Sequence, residues 1–93
     1  MQLRTIHKYL LKITDQQDIE MPHLAQILCV QMQDGHLYIW AMVDDEAPMD
    51  SRTIRIIGTG NPIDDGNWLN YIGAVQEFDG ELIWHVFERM LTS

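Results

Sequence analysis

The sequence contains one cysteine, few basic residues and no long apolar run. The lone cysteine, Cys29, excludes an internal disulfide and a zinc site built from several thiolates. Because Cys29 lies within the apolar run 27–30, we expect it to be a small buried hydrophobe. No stretch of eighteen apolar residues is present, and the first five residues lack the apolar core of a secretory signal. We therefore expect a cytoplasmic protein that does not enter a membrane.

Acidic residues outnumber basic residues by fourteen to six, which gives a formal net charge of −8. A surplus of negative charge repels the phosphate backbone, so direct nucleic-acid binding is not expected. An acidic surface that competes with nucleic acid for a basic partner is the rarer alternative, because acidic solvated surfaces are common.

Length and composition fit one folded domain over residues 1–93. Hydrophobic residues make up 46% of the chain and charged residues 22%, which is ordinary globular usage. A domain of this length buries only about 60–65% of the surface that its unfolded chain exposes, so its stability is marginal. Homo-oligomerisation would supplement that stability.

Alternation and turn dipeptides predict an all-β fold. Asp34-Gly35 and Asp79-Gly80 tolerate the positive φ angles of two-residue type I′ turns, and strand-like runs flank each of them. About six strands indicate a small antiparallel sandwich or a partly open barrel. The two predicted hairpins pair Ala25–Gln33 with His36–Val43 and Tyr71–Phe78 with Glu81–Arg89.

The remaining segments are predicted from composition. Alternating residues indicate strands at 5–13 and 53–57, whereas four carboxylates and a proline indicate an exposed loop at 44–50. A polar linker at 14–18 leads to a short edge strand that ends at Pro22. Glycines predict a turn at 58–62, and the chain continues without regular structure to residue 67.

The predicted strand 37–43 is apolar on both faces, so its second face must meet something other than water. Tyr38 and Trp40 lie on the same side of this strand and are candidate interface residues. Alternation also places His85 and Phe87 together on one face of the last strand, which makes them candidates too. A strand covered on both faces explains that second pair equally well.

The polar residues do not predict a metal or catalytic site. No two of the four histidines have a short, ligand-like separation, and zinc would need three or four groups converging from separate strands. No Ser–His–Asp arrangement or paired-carboxylate motif has a spacing that specifies catalysis. We expect no metal and no cofactor, and we regard an enzyme as less expected than a binding protein.

The glycine-rich turn is the most suggestive element for a small ligand. Successive glycines let backbone N–H groups approach a phosphate, although a purely conformational turn accounts for them as well. An arginine before the turn could reach an anion, and an exposed tryptophan after it could stack on a base. The candidate ligand-binding residues are Arg55, Gly58, Thr59, Gly60, Asn61 and Trp68.

Several segments together resemble a family of small bacteriophage and prophage proteins that is classed as a domain of unknown function. The resemblance spans nearly the whole chain. It implies a phage-encoded accessory protein that acts inside the infected bacterium, and it supplies no catalytic residues. The matching segments are Ile6–Tyr9, Met21-Pro22, Leu37–Asp44, Arg55–Ile63, Tyr71–Gly73 and Trp84–Phe87.

Small phage proteins of this size are often inhibitors of host defence. We therefore expect a non-enzymatic binding protein that counters a bacterial defence or regulatory system. Its partner would be a host bacterial protein that it blocks or a signalling nucleotide that it sequesters. A virion or structural accessory protein and a small nucleotide-processing enzyme are the alternatives.

Overall fold

The computed structural model describes residues 3–64 and 68–90 of the chain. These residues form seven β-strands, and no α-helix is present among them. The end of the predicted irregular segment, at 65–67, lies outside the described residues. The strands are β1 Thr5–Leu11, β2 Gln16–Pro22, β3 Gln26–Gln33, β4 His36–Val43, β5 Met49–Gly58, β6 Leu69–Glu77 and β7 Leu82–Arg89.

The strands form two antiparallel sheets. The three-stranded sheet has the order β1-β4-β3, and the four-stranded sheet has the order β2-β5-β7-β6. Buried side chains from both sheets share one hydrophobic cluster, so the sheets pack face to face as a sandwich and do not close into a barrel. The all-β antiparallel prediction is confirmed in this form.

The strand count is seven and not about six, and two of the strands begin earlier than the polar composition indicates. β2 starts at Gln16, inside the predicted linker, and pairs residue by residue with β5. β5 starts at Met49, so the acidic loop ends before residue 49 and not at residue 50. Backbone pairing to a neighbouring strand outweighs the weak strand propensity of these polar residues.

Both Asp-Gly dipeptides form turns between paired strands. Asp34 and Gly35 have φ angles of 52° and 79°, as a two-residue type I′ turn requires. The second hairpin is different, because β6 ends at Glu77 and β7 starts at Leu82, which leaves a four-residue connection. The predicted two-residue turn at Asp79-Gly80 is therefore wrong, although the hairpin itself is present.

The core lies between the sheets. Alternate residues of β4 point inward, and Leu37 and Ile39 are at most 1% exposed. Ile54 of β5 and Val86 of β7 meet them from the four-stranded sheet and are fully buried. Burial of each such side chain stabilises the fold by roughly 1.5–3 kcal/mol.

Cys29 is half-buried, so the prediction of a buried cysteine is wrong. The register between β3 and β4 shifts between Ile27 and Cys29, and this β-bulge pairs Cys29 with Trp40. Paired residues point to the same side of a sheet, and Trp40 does not belong to the buried core. The bulge therefore places the thiol on the outer face.

Candidate functional site

The outer face of the three-stranded sheet carries aromatic and apolar side chains, and we call it the aromatic face. Side chains alternate between the two sides of β4, and its even-numbered residues point away from the core towards this face. The register places residues of β1 and β3 beside them. The aromatic face comprises Ile6, Lys8, Leu10, Gln26, Cys29, Gln31, Gln33, His36, Tyr38, Trp40 and Met42.

The two aromatic rings and one ammonium group form the centre of this face. The rings of Tyr38 and Trp40 meet edge to face, with centroids 5.7 Å apart. Lys8 Nζ lies 4.6 Å from the centroid of the Tyr38 ring and donates a hydrogen bond of 2.8 Å to Gln33 Oε1. The lysine side chain therefore crosses the sheet and holds its charge over Tyr38, towards the end of the face where β3 turns into β4.

The margins of the aromatic face are apolar and open to solvent. Ile6 and Leu10 of β1 are 57% and 56% exposed, and the register places them beside Met42 and Tyr38. Side chains of this kind normally point into a core, and a contiguous exposed set indicates a binding surface.

The strands of this sheet contain no carboxylate. Neither β1, β3 nor β4 includes an aspartate or a glutamate, although the chain has fourteen acidic residues. Lys8 lies within β1, and Arg4 and Lys12 flank it, so three of the six basic residues lie in or beside this strand. Lys8 is thus the one charged side chain that these three strands place on the aromatic face, and the carboxylates nearest in sequence lie beyond the ends of β4, where Asp45 pairs with His7.

The glycine-rich turn has conformational reasons for its glycines. The Asn61 N–H donates to Gly58 O at 3.1 Å, and Gly60 between them has a φ of 91°, as the third residue of a type II turn requires. A Cβ on Gly58 would lie 3.3 Å from the Trp84 ring and 3.1 Å from Asn61 Nδ2. The Thr59 N–H donates to Ile83 O at 3.3 Å. Two amides that a phosphate could use are thus already engaged.

Arg55 and Trp68 do not meet at this turn. Arg55 is only 7% exposed, and its guanidinium donates to Asp15 O at 3.1 Å and to Asp15 Oδ1 at 3.3 Å. The register pairs Gly58 with Trp84 and pairs Leu69, the residue after Trp68, with Arg89. Trp84 and Arg89 lie near opposite ends of β7, so Trp68 is about 17 Å from the glycine-rich turn along that strand. Arg55 anchors the β1–β2 connection, and Trp68 is separated from the turn.

The predicted interface residues divide between the two outer faces. Tyr38 and Trp40 lie on the aromatic face, whereas His85 and Phe87 lie on the outer face of the four-stranded sheet. There, Thr59 Oγ1 lies 2.8 Å from His85 Nε2, and Tyr71 Oη lies 3.3 Å from His85 Nδ1. The Tyr71 and Phe87 rings also meet edge to face at 5.2 Å. The histidine is thus held by its own sheet.

A groove of about 940 Å³ opens at one end of the sandwich, and the sequence reasoning did not find it. The Arg52–Glu88 ion pair lies in this groove, and Arg52 Nη1 also donates to Ala25 O at 2.8 Å. The hydrogen bond to Glu88 raises the pKa of Arg52 above its ordinary value. Alternation places Arg52 on the same side of β5 as the buried Ile54. A charged residue at an inward-facing position of a strand is rare, and this position was the sequence signal that could have indicated the groove.

Within residues 3–64 and 68–90, no group of three or more histidine, cysteine, aspartate or glutamate side chains is arranged to hold a metal ion. The same residues include no helix that is long and apolar enough to cross a membrane.

Comparison with known proteins identifies the family. A family model described as "Domain of unknown function (DUF7352)" matches residues 2–92, and the chain belongs to this family. No curated protein matches the chain, and no solved structure matches it.

Proposed function

We propose that this DUF7352 protein is a non-enzymatic binding protein that blocks a host protein through its aromatic face. We further propose that a bacteriophage or prophage encodes it and that it counters a defence or regulatory system in the cytoplasm of the bacterium. The observation that carries the proposal is the aromatic face, whose centre is the half-buried Tyr38–Trp40 pair and whose β1 side chains Ile6 and Leu10 are exposed. The resemblance to phage and prophage proteins supports the origin.

The composition of the face suits protein recognition. Tryptophan and tyrosine are enriched among the residues that contribute most to protein–protein affinity, and they act best when surrounding contacts exclude water. Here Ile6, Leu10 and Met42 surround the two rings and would form that apolar margin. A partner that covers Trp40 would gain about 2 kcal/mol or more from it, as is typical of a central anchor.

Sequestration of a signalling nucleotide receives less support from the geometry. That alternative relied on Arg55, the glycine-rich turn and Trp68 acting together. Arg55 is committed to Asp15, and two amides of the turn are committed to the chain itself. A nucleotide would have to displace these contacts, and each lost charge-assisted bond would oppose its binding.

The proposal is tested by comparing two tryptophan variants in affinity capture from a bacterial lysate. W40A removes the centre of the aromatic face, and W68A removes a tryptophan that is 47% exposed elsewhere. We expect the wild type and W68A to retain one host protein in a stoichiometric complex and to inhibit its activity, whereas W40A loses both effects. Equal retention and inhibition by W40A would contradict the proposal.

A further inference from the structure

We infer that the partner contacts the aromatic face with an acidic segment of a protein. One carboxylate of this segment would reach the Lys8 ammonium while a neighbouring apolar side chain packs against Trp40. This inference rests on the proposed function, because it specifies the chemistry of the partner at the same surface. It is carried by the charge distribution and by the geometry of Lys8.

The charge of the face is opposite to that of the whole chain. Asp and Glu are absent from β1, β3 and β4, and three basic residues lie in or beside β1. Interfaces place positive patches against negative ones, because a like-charge contact costs several kcal/mol and an opposite one does not. A carboxylate that docks here meets no carboxylate from these three strands.

The lysine is positioned to receive an anion. The Tyr38 ring and Gln33 Oε1 contact its ammonium group above the sheet, and the lysine side chain remains exposed to solvent and open to a partner. An ammonium group has three N–H donors, and the bond to Gln33 uses one of them. The ammonium lies over the Tyr38 ring, whose centroid is 5.7 Å from that of Trp40, so a side chain next to a carboxylate bound at the ammonium can reach the indole.

A second copy of the chain fits this face poorly. In a two-fold contact, the same patch meets itself, so the Lys8 ammonium would be buried against a patch that offers no carboxylate from its strands. Three strands of seven or eight residues, about 4.8 Å apart, offer a planar footprint of only about 350 Å². A stable interface buries about 800 Å² on each side. The face suits a narrow segment better than a second sandwich.

A nucleic-acid strand also fits poorly, since it carries a charge on every nucleotide. Asp34 lies in the turn at one end of β4, and Asp44, Asp45 and Glu46 follow its other end. A polyanion lying along the strands would meet these carboxylates at both ends. A peptide segment can carry a single carboxylate at the Lys8 ammonium and neutral residues elsewhere along the strands.

The inference is tested by NMR titration of the full-length ¹⁵N-labelled chain with blocked seven-residue peptides. The acidic peptide has the sequence Thr-Ser-Leu-Asp-Leu-Ser-Thr, its control replaces the aspartate with asparagine, and a third ligand is a heptamer of deoxythymidine. We expect the acidic peptide to shift the Trp40 indole N–H. K8Q should weaken its binding about fivefold, as for one exposed charge pair. R89Q, which changes a basic residue of the other sheet, should leave the binding unchanged.

Three results would overturn the inference: no binding of the acidic peptide, equal binding of the asparagine peptide, or tighter binding of the oligonucleotide. Host capture separates this failure from failure of the proposed function. If K8Q captures the host protein as well as the wild type does while W40A fails, the acidic segment is refuted and the aromatic face stands. If both variants capture it normally, the aromatic face is refuted as well.

Discussion

Replacement of Arg52 by methionine tests how the open end of the sandwich is held together. Arg52 lies on β5 and donates two hydrogen bonds to Glu88 on β7 and one to the carbonyl of Ala25, which precedes β3. Arg52 thus links β5 and β7 of the four-stranded sheet to the segment that leads into β3 of the three-stranded sheet. Methionine keeps much of the aliphatic bulk and removes all three hydrogen bonds.

The expected loss follows from partial burial of the pair. Removing one partner of a fully buried ion pair costs about 3–5 kcal/mol, because an unpaired charge is left behind. The side chains of Arg52 and Glu88 are 21% and 14% exposed, so water stabilises the remaining carboxylate in part. We expect a loss of about 2–3 kcal/mol. For a domain of this size, this lowers Tm by roughly 10–20 °C.

The assay is reversible thermal and urea unfolding of R52M, E88M and the double variant. We expect each single variant to be destabilised and the double variant to recover part of the loss, because apolar pairs replace such ion pairs at little cost. K12M, at an exposed lysine, should change stability by no more than about 0.5 kcal/mol. Additive losses, with a coupling below about 0.5 kcal/mol, would refute the assigned role of the ion pair.

Two further predictions concern a turn and a tyrosine. G60A should lower the unfolding free energy by about 1 kcal/mol, because Gly60 has a φ of 91°, and G60N should lower it less; equal stability of all three proteins in urea would contradict the turn assignment. Burial, together with the charge of Asp45, raises the pKa of Tyr9 above its ordinary value of 10.0. The folded state therefore favours the neutral phenol. The contribution of Tyr9 to the free energy of unfolding is complete below pH 10 and is lost as the pH rises through the folded-state pKa. Y9F should remove part of the alkaline loss of stability, and an unchanged profile in unfolding experiments from pH 8 to 11 would contradict this.

Local signals predicted the elements that local physics determines. The Asp34-Gly35 hairpin was predictable because a type I′ turn needs two positive φ angles, which few dipeptides tolerate. Alternation in β4 likewise identified Tyr38 and Trp40 as residues of a second, uncovered face. The turn and the alternation are each encoded by a few adjacent residues. The structure contains the two-residue turn, and it places Tyr38 and Trp40 on the outer face of β4.

Long-range pairing determined what the sequence could not reveal. Arg55 sits on the outer face of β5, where alternation alone suggests exposure, yet it is buried and its guanidinium donates to Asp15 of the β1–β2 connection. Forty positions separate these residues along the chain. Trp68 is separated from the glycine-rich turn for a similar reason, since β6 begins at the end of β7 opposite to Gly58. Strand order sets both outcomes, and no local pattern encodes it.

Net charge is a sum, and the fold distributes it unevenly. A value of −8 predicts repulsion of anions by the whole chain, but charges interact mainly within about 8–10 Å at physiological salt. The three-stranded sheet collects Lys8 with two basic neighbours and contributes no carboxylate from its strands. Stability alone would be served by polar residues at positions 38 and 40, because those side chains lie outside the core. Two aromatic rings beside an ammonium group at these positions are therefore better explained by binding than by folding.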